Sequence, residues 1–142
     1  MLRCDIMLKS SIPAPDIVVD LSCSNQIHRY PMDGTERTFN FTVDDVAADH
    51  CIRLAMSGKT QAHTLIDSEG NITLDAQLIV SSIIFNEIDV TYLFCLGKRC
   101  YWHDGNGSRD PDWDGFFGVM GCNGHVDIEF STPIRKWFLE HC

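Results

Sequence analysis

The chain has 142 residues, of which 44% are hydrophobic, and its formal net charge is −9. This length suits one domain with a substantial core, and the acidic balance argues against binding to a nucleic-acid backbone or an anionic membrane surface. No segment is apolar and long enough for a transmembrane helix or a signal peptide, so we expect synthesis in a cytoplasm.

The cysteines also bear on the compartment. They are odd in number and irregularly spaced, which favours free thiols in a reducing environment over a disulfide framework. The seven are Cys4, Cys23, Cys51, Cys95, Cys100, Cys122 and Cys142.

The first half of the chain alternates between short strand patterns and turns. Residues 1–15 end in a proline-containing stretch and are predicted to form an N-terminal arm, with the domain proper over 16–142. Alternating apolar residues predict strands over 16–22, 26–30, 38–43 and 51–57. Residues 63–66 and 72–74 predict a hairpin with Gly70 in its turn.

The second half predicts further strands over 77–85, 88–96, 116–120 and 126–130. In the last of these, Asp127 and Glu129 alternate with apolar residues, which predicts one solvated face. Ser131 or Thr132 followed by Pro133 is a helix start, and a helix is predicted over 132–141. The whole pattern indicates an all-β fold, an antiparallel β-sandwich or jelly roll with a short C-terminal α-helix.

The C-terminal helix carries a candidate interface. Trp137 and Phe138 occupy neighbouring helical positions, so they cannot both face one narrow apolar stripe. We therefore expect Ile134, Trp137 and Phe138 to contribute an aromatic anchor to an assembly interface, with other copies of the chain or with other subunits.

The stretch YWHDGNGSRDPDWDG, residues 101–115, is the acidic loop. Oxygen donors at alternate positions can wrap one Ca²⁺ ion. An EF-hand is excluded, because Arg109 stands where that loop needs glycine and Gly115 where it needs a bidentate glutamate. Two alternatives remain, a calcium loop of another kind and a solvated loop whose side chains cap their own turns. The candidate calcium ligands are Asp104, Asn106, Ser108, Asp110, Asp112 and Asp114.

Aromatic side chains lie near each end of the acidic loop. Trp102 and Trp113, beside oxygen ligands, could offer stacking faces to a sugar, or they could pack the loop onto the core.

The sequence gives little support for a zinc site or an active site. Cys95, Cys100, His103 and Cys122 are zinc-type ligands, but they lack the usual paired spacing, so we expect core thiols and no zinc. No catalytic motif is present, and His50 and Cys51 are adjacent on a strand, which points their side chains to opposite faces. We expect that the protein is not an enzyme.

Two stretches, AQLIVSSIIFNEIDV (76–90) and FFGVMGCNGHVDIEFSTPIRKWFLEHC (116–142), resemble small β-sandwich structural proteins of tailed-bacteriophage virions. The sandwich pattern is also similar to calcium-dependent xylan-binding carbohydrate-binding modules. The residues that carry the virion resemblance are Gly118, Gly121, Asn123, Gly124, Ile128, Phe130, Thr132, Pro133, Ile134, Trp137 and Leu139.

The virion resemblance implies a structural subunit of a tail, baseplate or surface appendage, assembled in the host cytoplasm and acting through contacts with other virion subunits. The alternative is a calcium-dependent carbohydrate-binding module that recognises host or environmental polysaccharide.

Overall fold

The structure is a computed structural model that describes residues 1–141, with only the backbone of residue 99. Cys142, counted above among the thiols, lies outside the described residues. The strands are β1 (Leu2–Ser10), β2 (Ala14–Cys23), β3 (Gln26–Met32), β4 (Arg37–Val43), β5 (Ala48–Ser57), β6 (Thr64–Ile66), β7 (Ile72–Asp75), β8 (Leu78–Phe85), β9 (Ile88–Asp89), β10 (Arg99–His103), β11 (Asp112–Gly115), β12 (Val119–Met120) and β13 (Gly124–Thr132). The helices are α1 (Thr91–Phe94) and α2 (Ile134–His141).

Two antiparallel sheets form the predicted sandwich. Sheet A has the order β12-β8-β1-β4, with β9 also paired to β8, and sheet B has the order β11-β10-β13-β5-β2-β3. Strands β6 and β7 form a separate hairpin, and Gly70 in its turn has a positive φ of 84°. The all-β fold with a short C-terminal helix is therefore confirmed.

The core lies between the inner faces of the two sheets. Alternate residues of each strand point inward, and the rings of Phe85 in sheet A and Phe130 in sheet B meet across the core at 4.7 Å between centroids. Each large aliphatic or aromatic side chain buried in this way contributes roughly 1.5–3 kcal/mol to stability.

The N-terminal segment is not an arm. Residues 2–10 form β1, which lies between β4 and β8 in sheet A and buries Leu2, Cys4, Ile6 and Leu8 completely. Of the prolines that suggested an arm, Pro13 lies beyond the end of β1 and Pro15 lies at the start of β2, where the pairing with β3 is irregular.

The strand predicted over 88–96 is also wrong. After the short strand β9, the chain leaves sheet A and turns into α1, where the Asp89 carboxylate accepts a hydrogen bond from the Thr91 backbone N–H at 2.9 Å. Leu93 and Phe94 are buried at the end of the sandwich, and the Phe94 ring stacks on Trp137. The local hydrogen bond between Asp89 and Thr91 and the contact with α2 outweigh the alternating pattern of the sequence.

Helix α2 begins near the predicted Thr132–Pro133 pair, but its first backbone N–H donates its hydrogen bond to a residue outside the predicted cap. The Asp45 carboxylate accepts a hydrogen bond from the Ile134 N–H at 2.7 Å, while the Thr132 hydroxyl donates to the backbone carbonyl of Val46. None of the described helices is long and apolar enough to span a membrane.

Candidate functional site

The outer face of sheet B carries a row of aromatic rings. Strand register places Trp113 of β11 opposite Trp102 of β10, and Trp102 opposite His125 of β13. The neighbouring register row, Tyr101, Val126 and Leu54, is buried in the core, so the aromatic row points outward.

We call Trp102, Trp113 and His125 the aromatic platform. The indole rings of Trp102 and Trp113 are 5.3 Å apart between centroids, and Trp113 meets the His125 ring edge-on at 5.5 Å. Burial, and then the charge of Arg53, lower the pKa of His125, so its ring is neutral at pH 7. Because strands are spaced by about 4.8 Å, the platform spans about 10 Å of surface.

An ion pair forms the next outward row of sheet B. Arg53 donates to both carboxylate oxygens of Asp127, at 2.7 and 3.0 Å. Asp127 is only 8% exposed, so the solvated face predicted for this strand is wrong at that position. Sequence alternation did identify Asp127 as pointing away from the core, but it could not show Arg53 covering it.

Cys51 and Glu129 lie beside this ion pair. One ligand atom from each of Cys51, Asp127 and Glu129 falls within 4.8 Å of the other two, and across residues 1–141 no other set of three cysteine, histidine or acidic residues does so. Partial burial of the sulfur, and then the neighbouring Asp127 carboxylate, raise the pKa of Cys51 to about 12. The thiol therefore keeps its proton and Asp127 keeps its guanidinium partner, so we assign these residues to a hydrogen-bonded surface cluster.

A cleft of about 640 Å³ opens beside the aromatic platform. Strand β10 pairs with only the first part of β13, and the helices α1 and α2 wall the space that this leaves. Its lining combines apolar rings with carboxylates and cations, namely Leu93, Phe94, Lys98, Cys100, Trp113, Asp127, Glu129, Trp137 and His141. Such a mixture of ring faces and hydrogen-bonding groups is typical of small-molecule and sugar sites.

Among the six candidate calcium ligands, no three carboxylates lie within 4.8 Å of one another. Asp104 accepts a hydrogen bond from the Gly107 N–H at 3.1 Å, and Asp112 accepts one from the Trp113 N–H at 2.8 Å. Asn106 reaches away from the loop to the backbone of Gly121 and Asn123.

The remaining three candidates are equally separate. The Asp114 carboxylate accepts from the Arg109 guanidinium and lies 2.7 Å from the Nε2 atom of His103. Ser108 folds over Gly105, and Asp110 is exposed. Two of the six follow the solvated-loop alternative, since Asp104 caps a turn and Asp114 pairs with a cation.

The four zinc-type residues do not assemble either. Cys100 lies on the outer face of β10, whereas the His103 ring packs at a tilt against the inward-facing Tyr101, 4.4 Å between centroids. Burial, and then Cys100, raise the pKa of Cys95 to about 11.

The proposed assembly residues are largely covered within the chain itself. Ile134 is 4% and Trp137 6% exposed, and the Trp137 ring packs on Phe94 and Phe85. Phe138 is half-buried. The exposed apolar residue of α2 is Leu139, so Ile134 and Trp137 cannot anchor a neighbouring subunit without opening the core.

Sequence reasoning missed His125 and Arg53 as parts of the outer face. Their alternation with buried residues was visible, but the order of strands that brings them beside Trp102 and Asp127 was not.

No protein-family model and no curated protein matches this chain. The chain does resemble solved structures. One is the SeMet form of vCBM60, from work on a circular permutation that links two families of calcium-dependent carbohydrate binding modules. It is 9% identical, with 89% of each chain covered and a TM-score of 0.51. Another, vCBM60 in complex with galactobiose, is 12% identical, with 88% of this chain and 95% of that chain covered and a TM-score of 0.49. The likeness confirms the β-sandwich fold, and neither structure points to a virion.

Proposed function

We propose that this chain is a non-catalytic carbohydrate-binding module that recognises polysaccharide through the outer face of sheet B. The observation that carries the proposal is the aromatic platform, in which Trp102, Trp113 and His125 lie side by side on one solvent-facing surface. The fold shared with a calcium-dependent carbohydrate binding module supports the same assignment.

The chemistry of the surface suits a sugar. The carbon-bound hydrogens of a sugar ring form an apolar patch that packs on an indole face, while its hydroxyl groups need donors and acceptors at the rim. The Arg53–Asp127 pair provides such groups one outward row from the rings, and the Glu129 carboxylate lies in the row after that. Because the platform is built on paired strands, its rings are held in place before a ligand arrives.

The assembly role in a virion has less support. Its motivating features are the C-terminal sequence pattern and the Trp137–Phe138 pair of α2, and the structure buries Trp137 in the core and half-buries Phe138. A polysaccharide partner is therefore the better-supported proposal.

The test is binding to a panel of soluble polysaccharides by affinity electrophoresis, followed by calorimetry with oligosaccharides of any that retard the protein. We expect Trp102→Ala and Trp113→Ala each to weaken binding at least about fivefold, since stacking on one aromatic residue contributes on the order of 1–3 kcal/mol. Phe117→Ala is the matched control, because Phe117 is a largely exposed ring outside the platform and the cleft.

Two results would contradict the proposal. One is retention of full affinity by both tryptophan variants, which would move the site away from sheet B. The other is release of reducing ends from a bound polysaccharide, which would show that the chain is a hydrolase.

A further inference from the structure

A buried lysine occupies the junction that holds the acidic loop. The Lys59 side chain is 2% exposed, and its ammonium donates to Asp75 Oδ1 and to the Gly121 carbonyl, both at 2.6 Å. A buried ammonium is tolerated only when it is paired and hydrogen-bonded in this way.

The junction joins three separate parts of the chain. Asn123 accepts a hydrogen bond from the Lys59 backbone N–H and donates one to the Lys59 carbonyl, each at 2.9 Å. Asp75, at the end of β7, also accepts from the Thr64 hydroxyl at 2.7 Å. Lys59 therefore ties the end of the β6–β7 hairpin to the turn at 121–123.

The same turn holds the acidic loop. The side chain of Asn106 donates to the Gly121 carbonyl at 3.4 Å and accepts from the Asn123 N–H at 3.1 Å. One carbonyl, that of Gly121, thus receives both the Lys59 ammonium and the loop amide. The acidic loop in turn connects β10, which carries Trp102, to β11, which carries Trp113.

The acidic loop does not fit a calcium ion. Calcium needs six to eight oxygen ligands at about 2.3–2.6 Å. Three of the four carboxylates of this loop instead bind separate groups: Asp104 and Asp112 bind backbone N–H groups, and Asp114 binds the Arg109 guanidinium. A calcium ion would have to displace Arg109 from Asp114 and break the turn that Asp104 caps.

We propose that the Lys59 ammonium is the resident cation of this junction, and that the chain holds its acidic loop and aromatic platform in place without calcium. The lysine supplies positive charge to a carboxylate and a backbone carbonyl, the same kinds of oxygen that ligate calcium, and does so from within the chain. The inference rests on the Lys59 contacts and holds whatever the platform binds.

The first experiment measures thermal unfolding of the wild-type chain, by circular dichroism, in EDTA and in millimolar CaCl₂. We expect the two midpoints to agree within about 1 °C, because neither the acidic loop nor the Lys59 junction gains the ion on folding. A midpoint that rises by several degrees with calcium would overturn the proposal. This measurement needs no variant to fold.

The second experiment compares Lys59→Met with Lys136→Met, which removes an exposed lysine on α2. Loss of the buried partner of Asp75 should lower the midpoint by about 10 °C, whereas Lys136→Met should leave it unchanged. Hydrogen exchange should rise at 104–112 and 121–123 in Lys59→Met and in the milder variant Asp75→Asn. Unchanged midpoint and exchange in Lys59→Met would contradict the proposal.

A third measurement separates this inference from the proposed function. Polysaccharide binding that is equal in EDTA and in calcium supports both. Binding that EDTA abolishes overturns the inference and leaves the proposed function standing. If no polysaccharide binds but the midpoint is insensitive to calcium, the proposed function fails and the inference stands.

Discussion

Among the described side chains, the outer face of sheet B contains two arginine–aspartate pairs that differ mainly in burial, and their comparison tests how this face is stabilised. Arg53 and Asp127 bridge β5 and β13, and Arg29 and Asp20 bridge β3 and β2. The closest nitrogen–oxygen distances are 2.7 and 2.8 Å respectively. The side chain of Asp127 is 8% exposed, whereas that of Asp20 is 42% exposed.

The change is Arg53→Met, which keeps most of the side-chain volume and removes the charge. Opposite charges about 4 Å apart interact by about 4 kcal/mol at an effective dielectric constant of 20. Arg53 is half-exposed, so solvent screening reduces this value by about half. We therefore expect a loss of about 2 kcal/mol in the free energy of unfolding, mostly because a buried carboxylate is left without its cation.

The assay is urea denaturation followed by tryptophan fluorescence. With an m-value of about 2 kcal/mol/M, the midpoint of Arg53→Met should fall by about 1 M. Arg29→Met should leave the midpoint unchanged within error, because both side chains of the Arg29–Asp20 pair are exposed to solvent. Adding Asp127→Asn to Arg53→Met should recover part of the loss, since the buried charge is then removed.

Equal midpoints for Arg53→Met and Arg29→Met would refute this reasoning. Burial of Asp127 would then not determine the strength of the pair, and Arg53 would be free to serve a ligand alone.

Three further predictions follow from single residues. Gly124→Ala should lower stability by about 2 kcal/mol or more in thermal unfolding, because its Cβ would lie 2.0 Å from a backbone oxygen of β10; Gly121→Ala, with no contact under 3.5 Å, should be nearly neutral. Cys51, although exposed, should alkylate slowly in iodoacetamide at pH 8, as followed by peptide mass spectrometry, because a pKa of about 12 leaves on the order of one thiolate in ten thousand. Trp137→Ala should cost about 3–5 kcal/mol in urea denaturation, whereas Leu139→Ala should change stability by less than about 0.5 kcal/mol.

The sequence predicted well which residues of a strand face the core, because this depends on alternation along the strand and not on its neighbours in the sheet. In β5, Ile52, Leu54 and Met56 are buried and Arg53 is not, as alternation alone predicts. Strand β1 was missed because its place in sheet A is set by pairing with β4 and β8, which lie far along the chain. Sequence order does not encode such pairing directly, and the nearby prolines favoured an arm.

The candidate site was predicted only in part, for the same reason. Trp102 and Trp113 stood out because they flank one loop, and the hairpin of β10 and β11 does place them opposite each other. His125 and Arg53 lie beside these tryptophans because β13 lies between β10 and β5, and the sequence does not show this strand order. The Lys59 junction could not be predicted, because one of its ligands is a backbone carbonyl and the others come from distant segments.

The platform and the Lys59 junction are consecutive parts of one structural path. The acidic loop leaves β10 directly after the strand that carries Trp102 and returns as β11 with Trp113. Between these points Asn106 fastens the loop to the turn at 121–123, and Lys59 fastens that turn to β7. The Asp104 carboxylate then caps a turn and the Asp114 carboxylate pairs with Arg109, so both have a structural role. Lys59 holds the turn at 121–123, to which the loop is fastened. A change at Lys59 should therefore loosen the acidic loop, while the pairing of β10 with β11 keeps Trp102 opposite Trp113.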